Sequence, residues 1–291
     1  MNQLVQILVN GTSMGCIYGL VALGFILIYN ATGVVNFAQG EFVTMGAYFA
    51  FAALMQMGIS TLPGLLIAAI GVLTVGWLFQ RLAYRPIRSR PLVTVVICTA
   101  MVGALLRHVA QIIWGPYPLP LSAFLPDGIL VIHGIVLPLE NVAIILVTIV
   151  LLIVLHVVFF KTSWGLQLRA TAQDFEIARL MGISVRRMIA GTWMLGALLG
   201  GVAGVLLAPQ WSISTDMGGG VALKAFAACI IGGFGSIIGA VVGGLFVGLT
   251  EIFAASYISS AYKDAVTFSI MIGFLIFLPQ GIFGERISEK V

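Results

Sequence analysis

Residues 161–187 read KTSWGLQLRATAQDFEIARLMGISVRR, which is the longest polar interval in an otherwise apolar sequence. The interval carries five Lys and Arg side chains against two carboxylates. Membrane proteins keep short loops that are rich in Lys and Arg in the cytoplasm. We therefore expect this loop to lie on the cytoplasmic side and to fix the side of the bilayer on which the other loops lie.

The same interval has the punctuation of a short helix. Asp174 can accept hydrogen bonds from the free N–H groups of a first turn, and Glu176 suits the positive end of the helix dipole. Gly182 can adopt the left-handed conformation that ends a helix. The pattern predicts a helix over residues 175–181, with a shared face formed by Phe175, Ala178 and Leu180 or Met181. A helix of this kind between two membrane spans has no core of its own, so it needs a partner.

The composition is that of an integral membrane protein. Of the 291 residues, 60% are hydrophobic and 8% are charged, and the mean hydropathy is +1.14. A soluble domain carries about 25% charged residues. The apolar runs are about twenty residues long, as in membrane-spanning helices, and they lack the alternation of a membrane β-barrel. We expect an all-α, polytopic bundle of transmembrane helices, with residues 1–291 forming one domain.

Most of the positive charge lies in three intervals. Residues 81–90, 161–187 and 286–290 hold 11 of the 14 Lys and Arg residues, whereas residues 115–138 hold five prolines and none of them. This distribution reflects membrane topology, so we expect surrounding lipid and no bound nucleic acid. It predicts an N-terminus outside, a C-terminus in the cytoplasm and eight to ten membrane segments.

One apolar segment is interrupted by glycine. Residues 232–236 read GGFGS and separate the apolar runs at 222–231 and 237–255. Irregular backbone in a membrane is tolerated only where it is buried in protein or lines a cavity. We expect a break here, with Gly233 and Gly235 lining a cavity or packing against protein. If residues 222–256 instead form one continuous span, the C-terminal tail moves to the outside.

Five polar residues fall inside or beside the apolar runs. Ionisable groups at membrane depth cost about 2.5–3.5 kcal/mol each on insertion scales, so Glu41, Lys224 and Glu251 are candidates for function. The alternative is that they pair structurally inside the bundle. Asn36 and Gln39 need hydrogen-bond partners if they are buried, and they either line a substrate path or cap a half-helix.

Several kinds of chemistry are not expected. Cys16, Cys98 and Cys229 are scattered, which argues against a disulfide framework or a metal site. The three histidines have no ligand spacing, and a structural role is expected for them. The sequence has no G-x-x-x-x-G-K-[ST] run, so this chain does not hold ATP by a P-loop. No nucleophile–base pair stands out, and the N-terminus lacks the basic region of a cleaved signal peptide.

Several motifs carry a resemblance to one family. Residues 176–182 read EIARLMG, which resembles the E-A-A-x-x-x-G loop of ABC importer permeases, with Ile177 departing from the pattern. Residues 35–41, VNFAQGE, resemble the N-F-A-H-G-E run of branched-chain amino acid ABC permeases. LKAF at 223–226 and GGFGSI at 232–237 resemble their K-A-F…G-G-x-G-S-I-P-G-A. YKD at 262–264, PQGIFG at 279–284 and YRPIR at 84–88 fit further motifs of that family, so the resemblance covers nearly the whole chain.

The resemblance implies a permease subunit with several partners. These are a second homologous permease, two cytoplasmic ATP-binding subunits that carry ATP and Mg²⁺, and a periplasmic or tethered substrate-binding protein. No cofactor is expected on this chain, and the location implied is the bacterial inner membrane. Whether the two permeases are identical is left open.

The resemblance, together with the polar residues in and beside the apolar runs, implies the site residues. The helix at 175–181 is then the coupling helix, which contacts an ATP-binding subunit through Phe175, Glu176, Ala178, Leu180 and Gly182. The expected translocation pathway comprises Asn36, Phe37, Gln39, Glu41, Lys224, Phe226, Gly233, Gly235 and Glu251. Two positions depart from the family pattern: Gln39 stands where His is frequent, and Ile238 stands where Pro is frequent.

The resemblance also implies the cargo. Leucine, isoleucine and valine are expected, with selectivity mostly in the binding protein, because one methylene discriminates by only about 1–3 kcal/mol. Related permeases for urea or short amides are the alternative. An ion-coupled carrier that uses Glu41, Lys224 and Glu251 as a relay, and a membrane scaffold that transports nothing, are two further alternatives from other classes.

Overall fold

The computed structural model describes residues 2–121, 128–132 and 135–284, and most of them are helical. The helices are α1 (Asn2–Thr32), α2 (Gln39–Phe51), α3 (Thr61–Phe79), α4 (Arg85–Ile87), α5 (Leu92–Trp114), α6 (Leu139–Lys161), α7 (Ser163–Gln173), α8 (Phe175–Leu180), α9 (Val185–Leu207), α10 (Met217–Gly232), α11 (Ile237–Tyr257) and α12 (Lys263–Phe277). A π-helical turn, Ala52–Gln56, extends α2, and another, Gln80–Tyr84, joins α3 to α4. The all-α class predicted from the sequence is confirmed.

Six helices of the described part of the chain are long and apolar enough to cross a membrane. They are Gln3–Thr32, Thr61–Ile87, Leu92–Trp114, Leu139–Lys161, Val185–Leu207 and Ile237–Tyr257. Helices α2, α10 and α12 are shorter than a full span, which takes about 20 residues. The total of eight to ten membrane segments therefore stays a prediction.

Helix α1 lies at the centre of the bundle. An 18-residue window of α1 is 94% buried, whereas the equivalent windows of α5 and α6 are only 17% buried. Glycines allow this close packing, because Gly15 and Gly19 face Gly244 and Gly248 of the antiparallel helix α11. A Cβ added at Gly15 would lie 2.7 Å from the Leu245 Cα. The two backbones thus touch directly.

Four glycines of α9, at positions 196, 200, 201 and 204, have the small-xxx-small spacing that predicts close helix packing, and in the structure they face more than one neighbour. Gly196 packs on α1 at Ile28, and Gly200 packs on α2 at Phe42. Gly201 instead packs on the Val72 side chain of α3. These contacts hold α9 between α1, α2 and α3, and they place the start of α2 against the middle of α9.

Helix α10 begins five residues before the predicted apolar run. The interval that contains Trp211, Asp216 and the glycines at 218–220 has no basic residue, which predicts an outer loop, yet residues 218–220 are helical in the structure. The reason is close packing, since a Cβ at Gly218 would collide with the Gly40 carbonyl of α2. Glycine here marks a helix contact and not a turn.

The predicted break after α10 is confirmed. Gly233 and Gly235 both have positive φ, +101° and +97°, a conformation that side chains rarely adopt. The Ser236 hydroxyl then accepts a hydrogen bond from the Gly239 N–H at 3.0 Å. This cap fixes the first turn of α11, which contains Ile238.

The segment after α12 returns to the end of α10. The N–H of Ile282 donates to the Ile231 carbonyl, and the N–H of Phe283 donates to the Gly232 carbonyl, both at 2.9 Å. These bonds satisfy carbonyls that the end of α10 leaves free. Arg286 and Lys290, on which the predicted side of the tail partly rests, lie outside the described residues.

The proline-rich interval 115–138, which has no Lys or Arg, contains a short hairpin. Strands β1 (Ile129–Ile132) and β2 (Ile135–Pro138) pair antiparallel, with Ile129 opposite Pro138. Leu119 forms a separate bridge with Ile213, which ties this loop to the one after α9. His133 and Asp127 lie outside the described residues.

Candidate functional site

The short helix α8 has both of its predicted ends. The Asp174 carboxylate accepts hydrogen bonds from the N–H groups of Glu176 and Ile177 at 2.7 and 3.0 Å. At the other end Gly182 has a φ of +79°, and the Ile183 N–H donates to the Ala178 carbonyl at 3.0 Å. The helix ends at Leu180, one residue before the predicted limit.

The shared face predicted for Phe175, Ala178 and Leu180 or Met181 is wrong. Ala178 is only 2% exposed, in the same buried cluster as Tyr84, whereas Leu180 is 87% exposed. At 100° per residue, positions 178 and 180 point in nearly opposite directions. The exposed apolar residues of this element are therefore Phe175, Ile177, Leu180 and the C-cap residue Met181, beside the exposed Glu176 and Arg179, and Ala178 anchors the helix to its own bundle.

The two basic intervals predicted to be cytoplasmic meet at one end of the bundle. Arg81 and Arg85, from the end of the long helix that begins with α3, line one pocket together with Arg186 and Arg187 at the start of α9. The Arg81 guanidinium also stacks on Trp77, with 5.0 Å between its carbon and the ring centroid. The charge distribution and the fold thus agree on which loops share a side.

A charged triad, defined here as Glu41, Arg107 and Asp216, joins α2, α5 and the start of α10. The Arg107 Nε and Nη2 donate to one oxygen of Glu41 at 3.2 and 2.6 Å, and Nη1 donates to Asp216 at 3.1 Å. The Glu41 side chain is 6% exposed, that of Arg107 36% and that of Asp216 79%. The triad thus runs from the interior to the surface of the bundle.

Arg107 was missed by the sequence analysis. It lies inside the apolar run that forms α5, two turns from Trp114, and the run was read as an ordinary span. The signal was available, because an ionisable residue at membrane depth is a functional candidate whether it is acidic or basic. The same rule had selected Glu41, its partner.

Two predicted pathway residues are buried at the start of α2. The Asn36 Oδ1 accepts the Ala38 N–H at 3.1 Å, and the Gln39 Nε2 donates to the Gly196 carbonyl at 2.8 Å. Both residues are fully buried. Within the described residues, the Asn36 Nδ2 and the Gln39 Oε1 have no hydrogen-bond partner. Asn36 shapes the entry into α2, and Gln39 ties α2 to α9.

Lys224 and Glu251 form a second buried network, which ties together α1, α10, α11 and α12. The Lys224 Nζ lies 2.6 Å from Glu251, and Lys263 reaches the same carboxylate at 2.9 Å. The Tyr18 hydroxyl donates to Glu251 at 2.5 Å, and Asp264 accepts from Lys224 at 2.9 Å. The charges of two lysines and two carboxylates balance. The structure therefore contains the structural pairing inside the bundle that was the alternative to a functional role.

The network predicts which substitutions destabilise the protein most, and purified variants test this order. Removing one partner of a buried ion pair costs about 3–5 kcal/mol. We expect Glu251→Leu to be strongly destabilising, because it leaves two lysines without their shared carboxylate. Asp264 is about half exposed, so Asp264→Asn is expected to cost less than about 1 kcal/mol. Equal losses of thermal stability in detergent for the two variants would contradict the assignment.

An exposed stripe runs along α10 from the charged triad. The α10 stripe is defined by Asp216, Gly220, Leu223 and Phe226, spaced three or four residues apart on one helix face. Phe37, which is 48% exposed, contacts Phe226 with ring centroids 5.9 Å apart. The stripe is charged at one end, at Asp216, and apolar at the other, at Leu223 and Phe226.

The α10 stripe leads to a cleft at the glycine break. Phe226 contacts Phe234, with 5.5 Å between ring centroids, and Phe234 lines a cleft of about 540 Å³. The remaining lining residues are Tyr29, Asn30, Gly235, Ser236, Pro279, Gln280, Phe283 and Gly284. Gly233 lies behind the cleft, packed on the backbone of residues 280–284.

The structure brings together some predicted pathway residues and separates others. Phe37 and Phe226 meet at the surface, and Gly235 lines the cleft into which the stripe leads. Glu41 pairs with Arg107, whereas Lys224 pairs with Glu251, and no ion pair in the described part of the chain joins the two networks. The residues of the alternative ion relay therefore do not form one chain of ion pairs.

Comparison with known proteins gives a family match over most of the sequence. A family model described as branched-chain amino acid transport system / permease component matches residues 7–275. The high-affinity branched-chain amino acid transport system permease protein LivH of Escherichia coli (strain K12) is 35% identical, over 99% of this chain and 97% of its own length. The corresponding protein BraD of Pseudomonas aeruginosa is 33% identical, over 99% and 98%.

A solved structure shares the fold. PsaBC from Streptococcus pneumoniae in complex with Fab aligns with a TM-score of 0.52 at 14% identity, covering 97% of this chain and 94% of that chain. At this identity the similarity concerns the fold alone. The family model and the relatives of 33–35% identity agree over nearly the whole length. The chain belongs to the family of branched-chain amino acid transport system permease components.

Proposed function

We propose that this chain is the transmembrane permease subunit of an importer that carries leucine, isoleucine and valine into the cell. The observation that carries the proposal is the 35% identity with a branched-chain amino acid permease over 99% of this chain. The family consists of membrane permease components of ABC transporters, in which partner subunits use ATP. The apolar residues of the α10 stripe suit an aliphatic cargo.

The proposed assembly has a second homologous permease, two cytoplasmic ATP-binding subunits that hold ATP and Mg²⁺, and a substrate-binding protein outside. The surface of α8 supports the contact with an ATP-binding subunit. Phe175, Ile177, Leu180 and Met181 are 40–87% exposed on a helix that is capped at both ends. Exposed apolar residues grouped on one rigid element are typical of an interaction site. Glu176 and Gly182 shape this element.

The proposed orientation follows from the basic end of the bundle. Arg81, Arg85, Arg186 and Arg187 share one pocket, and short basic loops lie in the cytoplasm. The end of α1 at Thr32 then lies on the inner half and its N-terminus lies outside. The same proposal puts the C-terminus inside, which the bonds of residues 282–283 to the inner end of α10 support.

The proposed translocation pathway runs along the α10 stripe, between the two permeases. Arg107 and Asp216 are exposed on a helical surface that is otherwise apolar, and charged side chains in membranes face a bundle interior or a water-filled cavity. Lipid is therefore a poor neighbour for this face. Asn36, Gln39, Lys224 and Glu251 lie behind it and hold its helices in place.

Mechanistically, the proposal is alternating access. Closure of the ATP-binding subunits moves α8, whose buried Ala178 transmits the displacement to the inner ends of α3 and α9. Helix α9 contacts α1 and α2 through Gly196 and Gly200, so its motion reaches the start of α2 and the face with Phe37. The cleft at the glycine break is the inner end of this route.

Uptake by the reconstituted complex tests the cargo. Proteoliposomes that contain both permeases and the ATP-binding subunits are supplied with the cognate binding protein and either labelled leucine or labelled urea. We expect leucine, isoleucine and valine to enter at similar rates and urea to stay out. Entry of urea without leucine would leave the family assignment intact and overturn the proposed cargo.

A further inference from the structure

We infer that the charged triad is a binding site for the ammonium and carboxylate groups of the amino acid during passage. Arg107 takes the carboxylate, and Glu41 and Asp216 take the ammonium. The inference rests on the proposed function, because the class of ligand is taken from it. It adds a site that contains Arg107 and Asp216.

Arg107 has N–H donors that the bonds within the triad leave unused. A guanidinium has five N–H donors. Three bonds occupy it in the described structure, two to Glu41 and one to Asp216. Two donors remain on a side chain that is 36% exposed, and two donors of one guanidinium are what a carboxylate binds in bidentate fashion.

The negative side of the site is also incomplete. One guanidinium faces two carboxylates, so the triad carries an excess of one negative charge. The Glu41 Oε2 is buried and has no hydrogen-bond partner among the described residues. Asp216 is exposed at the surface, and its carboxylate accepts one hydrogen bond, from Arg107. An ammonium group supplies both the missing positive charge and the missing donors.

Space for the ligand lies beside the guanidinium. A Cβ added at Gly219 would meet only the Arg107 Nη2 within 4 Å, at 3.5 Å, and one added at Gly220 would meet nothing. The next exposed residue along the stripe is Leu223, followed by Phe226 with Phe37 beside it. A charged head at the triad therefore places an aliphatic side chain over apolar groups.

Two other roles are possible for the triad, and both are testable. It could be a purely structural link between α2, α5 and α10, or Asp216 could contact the binding protein. A structural link needs only one positive charge at position 107, so Arg107→Lys preserves it. A docking contact changes the concentration of binding protein that gives half-maximal uptake, and leaves the maximal rate unchanged.

The test uses the complete reconstituted importer and leucine-loaded binding protein, titrated to saturation. We expect Arg107→Gln to lower the maximal rate of leucine uptake by roughly tenfold or more, and Arg107→Lys and Asp216→Asn by several-fold, at unchanged half-saturation by the binding protein. ATP hydrolysis stimulated by the binding protein should persist in all three variants. Lys263→Gln is the matched control, because it removes a half-buried cation that pairs with Glu251 in the other network.

Each result decides the inference. Wild-type rates in Arg107→Lys, or a change confined to half-saturation in Asp216→Asn, would overturn it. Loss of ATP hydrolysis along with uptake would also overturn it, because the triad would then be structural. Failure of the wild-type complex to import leucine is a separate result, which removes the proposed function before any variant is compared.

Discussion

Replacing Leu180 by glutamate is expected to abolish ATP-driven uptake while leaving the protein folded and inserted. Leu180 is 87% exposed on α8, so its own bundle does not depend on it. In the proposed complex the side chain is buried against an ATP-binding subunit, where an unpaired carboxylate is costly. A central residue of an interface contributes about 2 kcal/mol or more, which corresponds to roughly a 30-fold loss of affinity.

The matched control is Leu180→Met, which keeps an apolar side chain of similar volume. We expect this variant to transport like the wild type and to retain its ATP-binding subunits during purification. Co-purification and uptake are measured on the same preparations. Normal uptake by Leu180→Glu would show that the exposed face of α8 is not the coupling surface.

Replacing Gly220 by tryptophan is expected to reduce uptake at least tenfold with no loss of stability. A Cβ added at Gly220 meets no neighbouring element within 4 Å in the described part of the chain, and the position is helical with negative φ, so we expect substitution to cause little strain within the subunit. Removing glycine from a helix is instead mildly favourable, by about 0.5–1 kcal/mol for alanine. Any loss of transport must therefore come from what lies outside the chain at this point.

Gly220→Ala provides the control, because a methyl group leaves most of the space over the α10 stripe open. We expect it to transport normally and to match or exceed the wild type in thermal stability. If Gly220→Trp also transports normally, the α10 stripe faces lipid and the pathway lies elsewhere. Uptake rate and melting temperature together separate a blocked path from a misfolded subunit.

Local signals in the sequence predicted part of this structure. The caps of α8 are local, since Asp174 and Gly182 act on residues within four positions, and the structure contains them. The break at 233–236 is local for the same reason. The predicted orientation of Ala178 was wrong, because apolar residues on a short helix do not show which of its sides the rest of the bundle covers.

Partners that are distant in sequence could not be predicted. Tyr18 and Glu251 are 233 positions apart, and Arg107 and Asp216 are 109 apart. Charge rules marked Lys224 and Glu251 as costly in a membrane, but only the fold shows that they neutralise each other. The glycines at 218–220 were misread for a related reason, since a tight turn and a close helix contact both favour glycine.

In the proposed function, ATP hydrolysis by partner subunits drives cargo through this chain. Its most direct test is the initial rate of labelled leucine uptake by proteoliposomes that contain the complete complex. We predict uptake that requires both ATP and the binding protein and that a protonophore leaves unchanged. Uptake that proceeds without ATP and collapses when a protonophore is added would contradict the account.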